Sequence, residues 1–217
     1  SDIAGSRWLS QVSSELLTSK PEVAPAIEQW SSAGIEMIDV RARVVTAHRF
    51  NQHCDSGQNK ADLLSQSTLK LVRDAIESNR CKLGPGELIQ VFCDRHGGRR
   101  YYAGVIQHLF PDGVTSVSSE SKTESVYQCR LGQYTMRIAF TVKGDRFAPV
   151  AMSSLHAKYW RERFMESFNA YFASHYRGKE PLARTAGYPV DADRFLGQVA
   201  AVVAEQKIGA ADLIRQR

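Results

Sequence analysis

The sequence predicts an α/β fold, a sheet with helices covering its faces, and three observations lead to this class. Two short, almost uniformly apolar runs, Leu88–Cys93 and Met136–Val142, are typical of strands buried on both faces. Segments with the apolar spacing of a helix lie before, between and after these runs. Strands that alternate with helices indicate a covered sheet. The chain of 217 residues, 43% of them hydrophobic, is long enough for one domain, or one domain with an appended piece.

The N-terminal part is predicted to be helical up to residue 33. Apolar residues at helical spacing predict a helix over Ser6–Leu17 and a second, short one over Ala24–Trp30. After Gly34 the pattern changes, because apolar and basic residues alternate from Val40 to Val44. This alternation predicts a strand with one face in water.

A helix and then the two apolar strands follow. Asn59 is a typical N-cap residue, and it precedes a run with helical periodicity. The inner stripe of this helix is predicted to comprise Leu64, Thr68, Leu71, Val72, Ala75 and Ile76. A further helix is predicted over Arg100–Phe110, and the serine-rich stretch Val114–Ser125 is predicted to be a surface loop or hairpin.

A long helix is predicted after the second apolar strand. It begins near Pro149 and continues for about seven turns. Its buried side is predicted to carry Met152, Leu155, Tyr159, Phe164, Phe168 and Phe172. The last helix is predicted to span about Asp193–Ala204.

Composition narrows the functional classes. The net charge of +5 and the pI near 9.1 are compatible with a polyanionic partner. No uncharged apolar run approaches the ~20 residues that span a bilayer, so we expect no membrane partner. The four cysteines have no zinc-ribbon spacing, which favours reduced thiols in a cytoplasmic protein. His48, His53, Cys54 and Asp55 are close in sequence, but without a second ligand pair a polar loop is the preferred interpretation.

The two apolar strands each end at an aspartate, Asp94 and Asp145. Sites of open α/β sheets form beyond the carboxyl ends of the strands, so these carboxylates are candidate catalytic groups. Carboxylates that converge there require a cation, and hard oxygen ligands select Mg²⁺ or Mn²⁺. The alternative is that each aspartate caps a turn or the following helix.

Three stretches of the chain resemble the type 2 ribonucleases H, the ribonuclease HII family. Residues 142–165 read VKGDRFAPVAMSSLHAKYWRERFM and resemble the K-G-D … A-x-S-I-x-A-K-V-x-R-D-x-x-M stretch of that family. The run Val91–Asp94 is similar to the family's strand that ends in another catalytic aspartate, and Ala186–Pro189 is similar to its K-G-Y-P/G segment. The resemblance covers roughly residues 34–198.

The resemblance implies a fold, an activity and a set of site residues. The fold is a ribonuclease H-like mixed sheet flanked by helices, here over residues 34–217. The activity is hydrolysis of RNA in RNA–DNA hybrids, or at ribonucleotides embedded in duplex DNA, by two metal ions, Mg²⁺ or Mn²⁺. Asp94 and Asp145 are then metal ligands.

The same resemblance supplies candidate nucleic-acid contacts. Tyr188 matches the tyrosine that stacks on the sugar at an RNA–DNA junction. Candidate phosphate contacts are Lys143, Arg146, Lys158 and Arg161. The alternatives are a solvated helix face for the basic residues and a turn-packing aromatic for Tyr188.

The chain also departs from the family. The D-E-A-G-R-G-P segment of the family's first strand, which supplies two more carboxylates, does not occur here, and residues 97–136 are longer than the family's connection. We therefore expect absent N-terminal strands and an insertion at 97–136. Either an upstream segment of the same parent protein completes the sheet, which we favour, or the chain has lost part of the carboxylate set. The missing first-strand carboxylates are a reason to expect low activity or none from this chain alone.

Two rival functions stay open beside the endonuclease. The first is a non-catalytic nucleic-acid-binding module that keeps Tyr188 and the basic residues. The second is a scaffold domain that uses the 97–136 region as its contact surface. The oligomeric state is not predicted.

Overall fold

The computed structural model describes residues 6–9, 12 and 20–216, and the described part contains eight α-helices and four strands. The helices are α1 (Lys20–Ser32), α2 (Ala47–Asp55), α3 (Lys60–Ser78), α4 (Ala103–Leu109), α5 (Ala148–His175), α6 (Pro189–Gln198), α7 (Ala200–Glu205) and α8 (Ala210–Leu213). The strands are β1 (Leu88–Asp94), β2 (Val114–Glu120), β3 (Glu124–Leu131) and β4 (Tyr134–Thr141). The α/β class is therefore confirmed.

The four strands form one mixed sheet in the order β1-β4-β3-β2. β1 and β4 are parallel neighbours, whereas β4 with β3 and β3 with β2 are antiparallel. The helix α4 and the hairpin of β2 and β3 lie between β1 and β4 in the chain, which gives the connection that parallel neighbours require. The stretch 97–136, expected as an insertion, supplies α4 and two of the four strands.

The two apolar runs differ in burial. β4 is central and almost wholly buried, as predicted. The prediction that β1 is buried on both faces is wrong, because Cys93 is the single buried residue of this edge strand and Leu88 is 55% exposed. An apolar run does not show how many strands will lie beside it, since pairing depends on residues far away in the chain.

The sheet packs its core on one face. The in-register partners Tyr127 and Ile138 belong to this face, as does Met136 two residues before Ile138, and all three are fully buried. Leu69 of α3 and Ile106 of α4 pack into the same cluster. Asn59 caps α3 as predicted, and its side chain accepts a hydrogen bond from the Asp62 main chain at 2.9 Å. The stripe prediction for α3 is wrong at Leu64, which is exposed, and it missed Ser65 and Leu69.

The chain divides into two compact units. One, the sheet unit, comprises residues 43–160 and 208–217, and the other, the helical unit, comprises the described residues of 3–42 and 161–207. The helical unit has an aromatic core in which the Trp8 ring lies 5.4 Å from that of Phe168 and 6.0 Å from that of Phe172. Phe195 of α6 joins it, 5.5 Å from Phe172.

The helix predicted for Ser6–Leu17 lies largely outside the described residues. The short helix at Ala24–Trp30 is confirmed within α1. The prediction of a strand from Val40 to Val44 is wrong, because residues 35–46 contain neither helix nor strand. Val40 is 50% exposed, which shows that alternation alone does not make a strand without a neighbouring strand.

The long helix after Pro149 is confirmed as α5, with 28 residues. Its predicted buried stripe is only half correct. Phe172 is fully buried, but Met152 and Leu155 are exposed, Leu155 by 65%. The last predicted helix is two helices, α6 and α7, that meet at Val199. Among the described residues, no helix has the length and apolar character that crossing a membrane requires.

Candidate active site in the sheet unit

The two predicted catalytic aspartates follow neighbouring parallel strands. Asp94 is the last residue of β1 and stands in register with Thr141, the last residue of β4. Beyond Thr141 the chain reverses at Lys143, whose φ of 56° is left-handed, and enters a 3-10 turn at Gly144–Arg146. Asp145 is the middle residue of that turn. Both aspartates therefore lie at the C-terminal ends of the two parallel strands, as the strand-end argument predicts.

A main-chain contact joins the two strand ends. The Gly144 N–H donates a hydrogen bond to Asp94 Oδ1 at 3.0 Å. A Cβ atom at position 144 would lie 3.1 Å from the Asp94 Cα and 3.3 Å from its nitrogen. A side chain at position 144 would therefore require the Asp94 backbone to shift by a few tenths of an ångström.

The chemistry of this pair suits a hard cation. Asp94 and Asp145 are both exposed, so their oxygens are open to solvent. Two carboxylates fit a single Mg²⁺ or Mn²⁺ that keeps most of its waters. Within the described ranges no group of three or more His, Cys, Asp or Glu side chains is placed to hold a metal ion.

A third carboxylate, which the sequence did not predict, belongs to the same row of the sheet. Glu124 of β3 stands in register with Thr141 on the side opposite Asp94. The Thr141 hydroxyl donates a hydrogen bond to Glu124 Oε1 at 3.0 Å. In-register neighbours share one face of a sheet, and strands are about 4.8 Å apart, so Asp94 and Glu124 flank Thr141 with backbones about 10 Å apart. The only sequence signal is an acidic residue after a short turn, which is common on surfaces.

Three of the predicted phosphate contacts belong to the sheet unit. Lys143 and Arg146 flank Gly144 and Asp145 in the chain, and both are exposed. The Arg146 guanidinium lies over the Phe147 ring at 4.9 Å, and that ring lies 4.9 Å from Phe92 of β1. Lys158 is exposed on α5. The positively charged side chains of Lys143 and Arg146 therefore both belong to the segment that carries Asp145.

The remaining two predicted contacts, Arg161 and Tyr188, belong to the helical unit and lie together there. The Arg161 guanidinium is 4.8 Å from the centre of the Tyr188 ring, and it donates a hydrogen bond to the Ala186 carbonyl at 2.7 Å. Tyr188 is 61% exposed, so most of its side chain is open to solvent. Arginine over an exposed aromatic ring forms a cation–π pair.

The turn before Tyr188 is fixed by two side chains. The buried Asn169 amide donates to the Thr185 carbonyl at 2.9 Å and accepts from the Thr185 N–H at 2.8 Å. Asp191 Oδ2 accepts from the Thr185 hydroxyl and from the Ala186 N–H, both at 2.6 Å. These bonds, that of Thr185 first, together with Arg194, lower the pKa of Asp191 to about 2. Gly187 then takes the left-handed conformation with φ of 76°.

A groove in the helical unit adjoins this turn. Its volume is about 550 Å³, and it is lined by Arg161, Glu162, Met165, Glu166, Asn169, Arg184, Thr185, Ala186 and Asp191. Arg161 and Tyr188 stay predicted contacts. The sequence analysis did not predict the contacts of Asn169 and Asp191, because these depend on how α5, the turn and α6 lie together.

Among the described residues, the side chains of the His48–Asp55 cluster do not form a group of three or more potential metal ligands. These residues belong to α2, which corrects the expected polar loop at His53–Asp55. His48 Nδ1 lies 3.0 Å from Asp212 Oδ1, and Asp55 accepts a hydrogen bond from Gln216 at 2.7 Å. Their polar atoms serve contacts within the sheet unit.

Comparison with protein-family models, with curated proteins and with solved structures finds no match for this chain. The functional argument therefore rests on the residues and their geometry.

Proposed function

We propose that this protein is a metal-dependent endonuclease of the ribonuclease H-like type 2 class. It would hydrolyse RNA within RNA–DNA hybrids or at ribonucleotides embedded in duplex DNA. The observation that carries the proposal is the main-chain bond of Gly144 to Asp94, which brings the turn of Asp145 to the end of β1. Two carboxylates at the ends of parallel neighbours are the arrangement that the resemblance implies.

Each group has a role in this proposal. Asp94 and Asp145 would hold Mg²⁺ or Mn²⁺, which supplies charge neutralisation and an activated water. Lys143 and Arg146 would hold phosphates beside the scissile bond. Hydrolysis adds water across the bond between phosphorus and the 3′ oxygen, which leaves a 3′-hydroxyl and a 5′-phosphate. Tyr188, with Arg161 beside it, would stack on the sugar at the junction between RNA and DNA.

We propose further that an upstream segment of the same parent protein adds a strand to the outer edge of β1. Among the described residues that edge has no strand partner. An unpaired edge presents N–H and C=O groups to which another strand can bond. Such a strand could also add ligands to the two carboxylates, as two-metal catalysis requires.

The experiment uses the complete parent protein and measures cleavage and binding of a labelled RNA–DNA hybrid in Mg²⁺ and in Mn²⁺. We expect Asp145→Asn and Asp94→Asn each to reduce single-turnover cleavage at least a hundredfold while binding is retained. Asp112→Asn is the matched control, because this exposed aspartate precedes β2 at the opposite end of the sheet. Cleavage by Asp145→Asn at the wild-type rate would exclude the proposed site.

A non-catalytic nucleic-acid-binding module is the second candidate. One observation favours this candidate: among the described residues, no three His, Cys, Asp or Glu side chains are placed together to hold a metal ion. In that case the chain would bind the hybrid with an affinity that falls as salt rises, and no metal would support cleavage. Affinity that does not change with salt, together with no cleavage, would reject both candidates.

A further inference from the structure

We propose that Tyr101, with Arg100 beside it, is a stacking platform for an unpaired base of single-stranded nucleic acid. The pair lies in the sheet unit, in the connection between β1 and α4 that begins at Asp94. The inference rests on the proposed function for the chemical class of the ligand. It goes beyond that function by adding a second binding site, which Tyr188 and Arg161 of the helical unit do not form.

The Tyr101 side chain is exposed to solvent, although the next residue in the chain is buried. Tyr101 is 61% exposed, whereas the adjacent Tyr102 is fully buried and stacks on Phe140 at 3.6 Å. The Arg100 guanidinium lies 5.5 Å from the centre of the Tyr101 ring. An exposed aromatic ring with a cation beside it offers stacking and charge to one ligand, a nucleobase with its phosphate.

Hydrogen bonds with side chains fix the main chain at Tyr101 and at the residues before and after it. Arg99 Nε donates to the Tyr101 carbonyl at 3.0 Å, and the Ser125 hydroxyl donates to the Arg100 carbonyl at 2.7 Å. The Tyr102 N–H donates to the Tyr127 hydroxyl at 2.9 Å. A ring on a fixed backbone loses little conformational entropy when a ligand stacks on it, so the platform is pre-organised.

Arginine side chains also tie this connection to the turn between β2 and β3. Arg95 donates to the Lys122 carbonyl at 2.6 Å and to the Ser121 carbonyl at 3.1 Å. Arg100 donates to the Glu120 carbonyl at 2.9 Å. The guanidinium groups of Arg95 and Arg100 are therefore both held in this connection, and the charge of Arg100 beside the Tyr101 ring favours a polyanion over a neutral aromatic ligand.

Single-stranded nucleic acid fits the Tyr101 site better than a duplex does. The bases of a duplex are stacked on each other, and their flat faces are closed to a side chain, whereas an unpaired base offers its face to an aromatic ring. We therefore expect Tyr101 to bind the unpaired part of a substrate, such as a single-stranded extension of a hybrid.

The experiment compares three labelled ligands by fluorescence anisotropy: a 12-nucleotide single-stranded RNA, a blunt RNA–DNA hybrid and a blunt duplex with one embedded ribonucleotide. We expect Tyr101→Ala to raise the Kd for single-stranded RNA about tenfold and to leave both blunt ligands unchanged. Tyr101→Phe keeps the ring and should bind like the wild type. Tyr188→Ala should show a different pattern, with weaker binding of the duplex that contains the embedded ribonucleotide and unchanged binding of single-stranded RNA.

A second measurement uses only the wild-type protein, so its result does not depend on whether a variant is stable. RNA that carries 5-iodouridine should photocrosslink to Tyr101, and mass spectrometry of the wild-type protein identifies the peptide. The inference is overturned if Tyr101→Ala binds single-stranded RNA like the wild type, or if the crosslink maps elsewhere. If the wild type binds single-stranded RNA through Tyr101 but neither binds nor cleaves the blunt ligands, the proposed function fails and this inference stands. Binding to none of the three rejects both.

Discussion

The Gly144 N–H donates a hydrogen bond to Asp94 Oδ1 at 3.0 Å, so the residue before Asp145 is bound to the other candidate catalytic carboxylate. The contact bridges two positions that are 50 residues apart in the chain. It lies at the ends of two parallel strands, where the pairing of Asp94 with Thr141 fixes the register. The separation between the turn of Asp145 and β1 therefore depends on a main-chain atom and on the absence of a side chain at position 144.

Gly144→Ala should test this dependence. The added Cβ would meet the Asp94 backbone at 3.1 Å, and a backbone cannot move away as a flexible side chain can. We expect a loss of roughly 1–3 kcal/mol in the free energy of unfolding, measured by urea denaturation, and a displaced Asp94. Gly104→Ala is the control, since a Cβ there has no heavy atom within 4 Å and alanine favours the helix. Equal stability of the two variants would contradict the close approach.

The sequence predicted that Asp94 and Asp145 lie at strand ends, because an apolar run and the aspartate that follows it are close together in the chain. Each aspartate ends an apolar run, and two parallel neighbours bring their carboxyl ends to one edge. Glu124 could not be predicted, because its place in the row follows from the register between β3 and β4. Register is set by pairing across the sheet, and a single sequence does not show it.

The error on α5 has a different cause, because the predicted stripe changes face along the helix. At about 100° per residue, Met152, Leu155 and Tyr159 share one face, but the step of five residues to Phe164 turns the next group to nearly the opposite face. Phe172 belongs to this second group and packs 6.0 Å from the Trp8 ring, whereas Leu155 of the first group is exposed. The sequence therefore contained the signal for two faces, and treating them as one stripe produced the error.

His96 is a buried titratable group that makes stability depend on pH. Its Nδ1 lies 3.0 Å from the Ser65 hydroxyl, and its ring packs against Phe140 at 5.3 Å. Burial, followed by the charge of Arg99, lowers the pKa of His96 to about 4, although Asp94 acts in the opposite direction. The folded protein therefore keeps His96 neutral at pH values where the unfolded chain takes up a proton.

We expect the free energy of unfolding to rise as the pH increases from about 4 to 6.5. In this window the unfolded state binds more protons, so the contribution of His96 is complete above pH 6.5 and is lost as the pH falls toward 4. The change is roughly 3 kcal/mol. Urea denaturation across this range should show the slope, and His96→Gln should remove most of it. His108→Gln, at an exposed position of α4, should keep it.

Asn51 should anchor the C-terminal segment of the sheet unit. Its buried amide donates to the carbonyls of Ala211 at 3.0 Å and Ile214 at 2.8 Å, and its oxygen accepts from the Gln216 N–H at 2.8 Å. Asn51→Ala leaves these groups without their partner, so we expect a loss of roughly 2 kcal/mol in unfolding free energy. Hydrogen exchange should also become faster at residue 216. Gln52→Ala, which removes a neighbouring exposed amide, should have little effect on either measurement.

Asp191 holds the turn that presents Tyr188. Its carboxylate accepts from the Thr185 hydroxyl and the Ala186 N–H, and its other oxygen accepts from Arg194 at 2.6 Å. Because these bonds lower its pKa to about 2, Asp191 stays charged down to that pH. Its contribution to stability is present above the unfolded value near 3.8 and is lost as the pH falls from there toward 2.

Asp191→Ala should therefore loosen the turn and weaken the function that we assign to Tyr188. We expect faster hydrogen exchange at Ala186 and a Kd for the duplex with one embedded ribonucleotide that rises several-fold, because the ring is no longer held in place. Asp193→Ala is the matched control, since it removes the same charge from an exposed position of α6. Faster exchange with unchanged duplex affinity would show that the turn is held by Asp191 but that Tyr188 does not read the ribonucleotide. An unchanged exchange rate would mean that Asn169 alone is sufficient to fix Thr185.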